Sequence, residues 1–170
     1  MLSLAAINAM SEAGFVAAFG DVAEDSPWVA AAAAAARPFA DRADLIAAFE
    51  RTVSEAGEAR QLALLRAHPD LAGRAAIAGD IAAASAAEQA GAGLDRLTPD
   101  EFERFTRLNE AYRRHFGFPF ILAVRGATKQ DILDAFAARI DQDRPSEFET
   151  ALTQVRRIIR FRIEDRVQEA

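Results

Sequence analysis

The sequence predicts an all-α protein, and three observations carry that reading. Apolar residues recur about every 3.6 positions in one segment after another. Short polar cap residues open these segments and glycines or prolines close them. No alternating apolar and polar stretch longer than a few residues is present. At 170 residues the chain suits one domain spanning positions 1–170, a length that buries roughly two thirds of the unfolded surface. About eight or nine helices are expected, with one short extended segment near Phe118 to Arg125 and no linker that would mark a second domain.

The elements follow in order. Leu2, Leu4, Ile7 and Met10 form a first stripe, and Ser11 caps a second helix that runs through Phe19 to Gly20. Ser26-Pro27-Trp28 has the form of an N-cap followed by proline at the first helical position. The helix it opens, through the alanine run Ala30 to Ala36, stops before Pro38. Trp28 reads as a core anchor. Asp41 to Ala56 carries Leu45, Ile46, Phe49 and Val53 on one face, and Gly57 separates it from Glu58 to Ala67.

Pro69 disfavours helical geometry at His68, so the imidazole sits at or just past a helix C-terminus, where the dipole favours its protonated form. Asp70 is then placed to cap a short helix ending near Gly79. Ser85-Ala86-Ala87-Glu88 and Thr98-Pro99-Asp100-Glu101 both fit capping boxes, and the second opens a long helix with Phe102, Phe105, Leu108 and Tyr112 inward and Gly117 behind it. Phe118 to Arg125 is a proline-broken apolar run ending in a charge. Thr128 caps a helix with Ile132, Leu133, Phe136 and Ile140, and Pro145-Ser146 starts a last long one.

Composition removes several functions. Cysteine is absent and His68 and His115 are the two histidines, which excludes thiolate chemistry, disulfides and the common Cys/His zinc sites. A net charge of −6 opposes nucleic-acid and anionic-membrane partners, since both require a basic footprint. The run Val29 to Ala36 is too short to span a bilayer, and neither a secretory leader nor a peroxisomal tripeptide is expected. The expectation is a soluble cytoplasmic protein.

His68, Pro69, Asp70 and Gly73 crowd into six residues that a helical alanine-rich chain does not need for packing. His68 suits a general acid or base, because imidazole changes charge near neutral pH; a histidine bonding free helix carbonyls is the structural alternative. Glu88 is accounted for by its capping box, yet Gln89 adds a second hydrogen-bonding group beside it. Amides free at a helix start would also receive an anion. A metal held by His68, Asp70, Glu88 and His115 would have no familiar ligand spacing. Arg125 follows buried extended backbone and is placed to fork onto a carboxylate in a dry pocket.

Three stretches together carry a family resemblance: His68-Pro69-Asp70-Leu71-Ala72-Gly73; Ser85-x-x-Glu88-Gln89 with Ala92-Gly93-Leu94; and Asn109-x-x-Tyr112 with Phe116 to Ile121 and Val124-Arg125-Gly126. They resemble OHCU decarboxylase, the 2-oxo-4-hydroxy-4-carboxy-5-ureidoimidazoline decarboxylase of urate breakdown. Ser26-Pro27-Trp28, Glu149 and Arg160 extend the likeness over nearly the whole chain. Arg74 stands where lysine is usual in the family, a departure that touches no catalytic role.

The resemblance implies an all-α fold, frequently a homodimer, that converts a small ureide substrate to (S)-allantoin and CO2 with no cofactor and no metal. It implies His68 and Glu88 as the catalytic pair. Pro69, Ser85, Gln89 and the segment Ile121, Leu122, Ala123, Val124 and Arg125 would hold the substrate. Functional coupling with a hydroxyisourate hydrolase is a further expectation. The competing readings are a non-catalytic all-α binding module and an isomerase or hydratase acting on a related ureide.

Overall fold

Side-chain caps and left-handed glycines set many of the helix boundaries in this chain. The computed structural model describes residues 1–169, and among them ten α-helices and one 3-10 turn form without a strand; one bridge joins Leu2 to Val167. The all-α expectation is met, with more helices than the eight or nine expected. The chain divides into two compact units, Met1–Ala67 with the chain from Leu152 onward, and His68–Ala151.

In the first unit α1 (Leu4–Asn8), α2 (Glu12–Phe19), α3 (Trp28–Ala33) with the 3-10 turn Ala34–Ala36, α4 (Arg42–Glu55) and α5 (Glu58–Ala67) are followed by the C-terminal part of α10 (Arg144–Glu164). Ser3, Ser11 and Asp41 each accept the third amide of the helix that follows, offsetting groups that a helix start leaves unbonded. Phe15, Phe19 and Phe49 form the aromatic centre, with Phe15 and Phe19 centroids 4.9 Å apart. Each such ring contributes about 1.5–3 kcal/mol on full burial. The buried Arg162 guanidinium donates to Glu24 at 3.0 Å, and Arg160 donates to Glu50 at 2.8 Å.

Two expectations fail here in detail. Pro27 occupies the N-cap position of α3 and Ser26 makes no side-chain cap bond; Ser26 is buried and contributes its carbonyl to the Val29 amide instead. Trp28 is half-buried with the Arg60 guanidinium 5.5 Å from its ring centroid, so it packs at the edge of the core rather than within it.

The second unit holds α6 (Arg74–Ala78), α7 (Ala83–Gly91), α8 (Pro99–Phe116), α9 (Lys129–Arg139) and the start of α10. Capping boxes open α8 at Thr98 with Glu101 and α9 at Thr128 with Asp131, and Gly117 closes α8 with φ +81°. Phe105, Tyr112, Phe116, Phe118, Phe120 and Phe136 are all buried, with Phe120 stacked on Phe136. Residues 119–124 are neither helix nor strand, as a proline at 119 and no helical period would dictate.

Candidate active site

The turn from His68 to Gly73 is held by side chains from two helices. His68 is the first residue past α5 and its side chain is buried. Ala72 adopts φ +54°, a left-handed conformation that costs an L-residue roughly 1–2 kcal/mol. Gly73 follows so close beneath Asp70 that a Cβ placed there would lie 2.8 Å from the Asp70 Cβ. Such a turn persists only where its surroundings over-determine it.

Those surroundings are specific. Gln89 of α7 accepts the Ala72 N–H through Oε1 at 2.9 Å and donates Nε2 to the Asp70 carbonyl at 3.3 Å. Asn109 of α8 donates Nδ2 to the Leu71 carbonyl at 2.8 Å, and one helical turn later Arg113 donates Nε to Asp70 Oδ1 at 2.9 Å. Asp70 therefore binds α8 rather than capping α6, whose N-cap is Gly73 without a side-chain bond. A 340 Å³ cleft beside the turn is lined by Pro69, Gly73, Arg74, Asn109 and Arg113, and a 280 Å³ cleft runs past Gln89.

The expected capping box at Ser85 and Glu88 does not form. α7 begins at Ala83, two residues before Ser85, and its N-cap Ala82 has no side-chain bond. The physical reason is that Ser85 and Gln89, four residues apart, share the buried face of α7. Keeping both inside requires the helix to have started already. Glu88 is consequently a mid-helix, half-buried carboxylate next to Gln89.

Behind Phe118 to Arg125 lies a buried polar network. Arg139 donates Nη1 to the Ile121 carbonyl at 2.7 Å, lies 4.4 Å from the Phe120 ring centroid and donates Nε to Glu147 Oε1 at 2.8 Å. The Tyr112 hydroxyl donates to the same Glu147 oxygen. Burial pushes the Tyr112 phenol well above its ordinary value, and its hydrogen bond to Glu147 adds to the shift. Ile121, Ala123 and Val124 are buried and Leu122 is half-buried. Arg125 is exposed, which corrects the expectation of a dry setting for it. His115 is exposed on the last turn of α8, its ring edge-on to Phe116.

Arg139 and Glu147 are missed by reading the sequence for motifs, although one signal exists. Glu147 falls on the stripe Ala151, Val155 and Ile159 at four-residue spacing, and Asn109 falls between Phe105 and Tyr112 on another. A polar group on an otherwise buried stripe must find a partner inside.

The second unit thus defines an all-α protein built around a strained, histidine-bearing turn clamped by two helices. OHCU decarboxylase is the family that matches, over residues 8–164. The chain is 44% identical over 165 residues to the 2-oxo-4-hydroxy-4-carboxy-5-ureidoimidazoline decarboxylase of Haloferax volcanii, a match covering 97% of this chain and 96% of that one. It is 40% identical over 169 residues to the uric acid degradation bifunctional protein PucL of Bacillus subtilis, covering 99% of this chain and 33% of that protein. A crystal structure of (S)-allantoin synthase aligns over 99% of this chain with a TM-score of 0.80 and 31% identity; the chain spans 54% of that longer one. The chain belongs to the OHCU decarboxylase family.

Proposed function

We propose that the protein decarboxylates 2-oxo-4-hydroxy-4-carboxy-5-ureidoimidazoline to (S)-allantoin and CO2 in urate catabolism. The observation that carries this reading is the double grip of Gln89 on the turn after His68, in a chain whose family match runs from residue 8 to residue 164. Through it the α7 face bearing Ser85, Glu88 and Gln89 is tied to the backbone that carries His68 and Pro69.

The reaction needs little more than orientation and proton control. The bond from ring carbon 4 to its carboxylate breaks and CO2 leaves. The electron pair forms a double bond to carbon 5, while the electrons of the neighbouring imine pass to its nitrogen, which takes up a proton. The hydroxyl on carbon 4 then loses its proton to become a carbonyl, and carbon 5 gains one on a single face. The substrate is its own electron sink, the task a carbanion-stabilising cofactor performs elsewhere. We therefore assign a cofactor-independent mechanism.

His68 serves as the acid and base, polarising the hydroxyl and moving its proton, and Glu88 orients it. Ser85, Gln89, Pro69 and the backbone of Ile121, Leu122, Ala123 and Val124 bind ring and ureido groups. Arg125, at the mouth of that segment, meets an anionic or carbonyl edge. The same reading gives a cytoplasmic homodimer. The match to a bifunctional uric acid degradation protein supports coupling of this step to another in urate breakdown, and we assign hydroxyisourate hydrolase as that neighbour.

The test is circular dichroism of allantoin formed from urate by urate oxidase and hydroxyisourate hydrolase, with and without this protein. The spontaneous product is racemic, so rapid appearance of an (S)-allantoin signal is the expected result. A trace identical to the control would overturn the assignment.

A further inference from the structure

We infer that Asn109 is a positioning residue for His68, acting through the Leu71 carbonyl. The inference rests on the catalytic role assigned to His68 above. Among the described residues, four hydrogen bonds to side chains of α7 and α8 hold residues 70–72: two with Gln89, one from Arg113 and one from Asn109. They do not weigh equally. The Arg113 and Asp70 side chains are 44% and 27% exposed, and an exposed ion pair adds little rigidity because water competes for both partners. The Asn109 bond is buried at both ends, and Asn109 itself is 3% exposed. Low local dielectric makes such a bond strong and its loss costly.

Asn109 also carries an asymmetry. Its Oδ1 is buried without a hydrogen bond among the described residues, while its Nδ2 meets Leu71 at 2.8 Å. An amide that satisfies only its donor end holds a burial cost that a smaller or apolar residue on the same stripe would avoid. The donor is what the position supplies, and its target lies three residues from His68 and directly before the left-handed Ala72. Without that donor the Leu71–Ala72 peptide is held only at its N–H, by Gln89, and its carbonyl can swing about that bond toward another partner. Ala72 then relaxes, and the imidazole moves with the turn. A misplacement of about 1 Å at a reacting group costs up to about 10²-fold in rate.

The chain contains two histidines, so its imidazole Cε1–H resonances report on the turn directly. His115, exposed on α8, supplies the internal control. The experiment compares the parent protein with Asn109→Leu, which keeps the volume and removes the donor, and with Asn109→Asp. Fold is checked for each by far-UV circular dichroism. Expected are a displaced His68 resonance with His115 unchanged and, in Asn109→Leu, a kcat lower by roughly 10- to 100-fold with KM within about two-fold. Asn109→Asp distinguishes positioning from mere packing. Its neutral carboxyl can donate to Leu71 and its carboxylate cannot, so its kcat relative to the parent recovers on acidification.

Both variants folded, with an unmoved His68 resonance and kcat within about two-fold of the parent, would overturn the inference. A reduced kcat in Asn109→Asp with the same pH profile as the parent would also overturn it, because packing alone would then explain the loss. Should the parent itself form no optically active allantoin, the reaction assignment fails. The resonance comparison then still decides whether Asn109 places the imidazole.

Discussion

Gln89 and Ala72 are joined by a buried hydrogen bond of 2.9 Å across 17 residues of sequence, and the residue it fixes is a left-handed alanine. The bond couples a polar position on the inner face of α7 to the one backbone unit of the His68 turn least able to hold its own conformation. Site geometry in this protein is therefore a property of α7, α8 and the turn together.

Gly73 tests that geometry most directly. Its φ is ordinary, yet a side chain would meet the Asp70 Cβ at 2.8 Å. Gly73→Ala should cost about 1–3 kcal/mol as an overpacked contact and displace Asp70 from Gln89. Thermal unfolding measures the first effect, and kcat for allantoin formation measures the second. Unchanged melting and turnover would show that the turn can absorb the methyl group.

His68→Asn and Glu88→Gln separate catalysis from architecture. Removing positioned acid–base catalysis lowers kcat by about 10²- to 10⁴-fold. Glu88 takes part in no capping box, because α7 starts at Ala83. Its amide variant should accordingly lose turnover at a melting temperature close to the parent's. A large melting shift with modest loss of kcat would reassign Glu88 to structure.

The buried pair Arg139 and Glu147 predicts an asymmetric stability response. Glu147 is fully buried, and removing either partner leaves the other uncompensated at a cost of about 3–5 kcal/mol. Arg139→Met should lower the chemical denaturation midpoint strongly and free the Ile121 carbonyl. The paired change Arg139→Met with Glu147→Leu should recover most of that loss.

Tyr112 is the one tyrosine in the chain, so its ionisation can be followed by tyrosinate absorbance without interference. Its folded pKa is raised, so its contribution is fully present below the unfolded value of about 10 and is lost as pH rises above it. Tyrosinate should appear only together with unfolding. At the acid end Asp21 is depressed by its bonds to Arg166 and Asp131 by its bonds to Thr128. Their contributions are present above the unfolded carboxylate value of about 3.9 and disappear as pH falls through the folded ones. Melts across pH should show this shoulder, and Asp21→Asn should flatten it.

Helix placement was legible because it depends on neighbours in sequence. Caps at Ser11, Asp41, Thr98 and Thr128, the breaks at Gly57 and Gly117 and the apolar stripes of α4, α8 and α9 are each decided within a few residues. Ser85 marks where such local reading fails. As a cap it competes with burial beside Gln89, and burial of both side chains on the inner face of α7 won.

The sequence by itself determined the all-α class, the turn after α5 and the motif residues that join this chain to its family. Tertiary structure alone decided that Asp70 meets Arg113, that Asn109 holds Leu71 and that Arg139 with Glu147 supports the segment around Ile121. The reason is physical: a cap is satisfied within one helical turn, whereas a buried polar group takes whichever partner the packed chain brings to it.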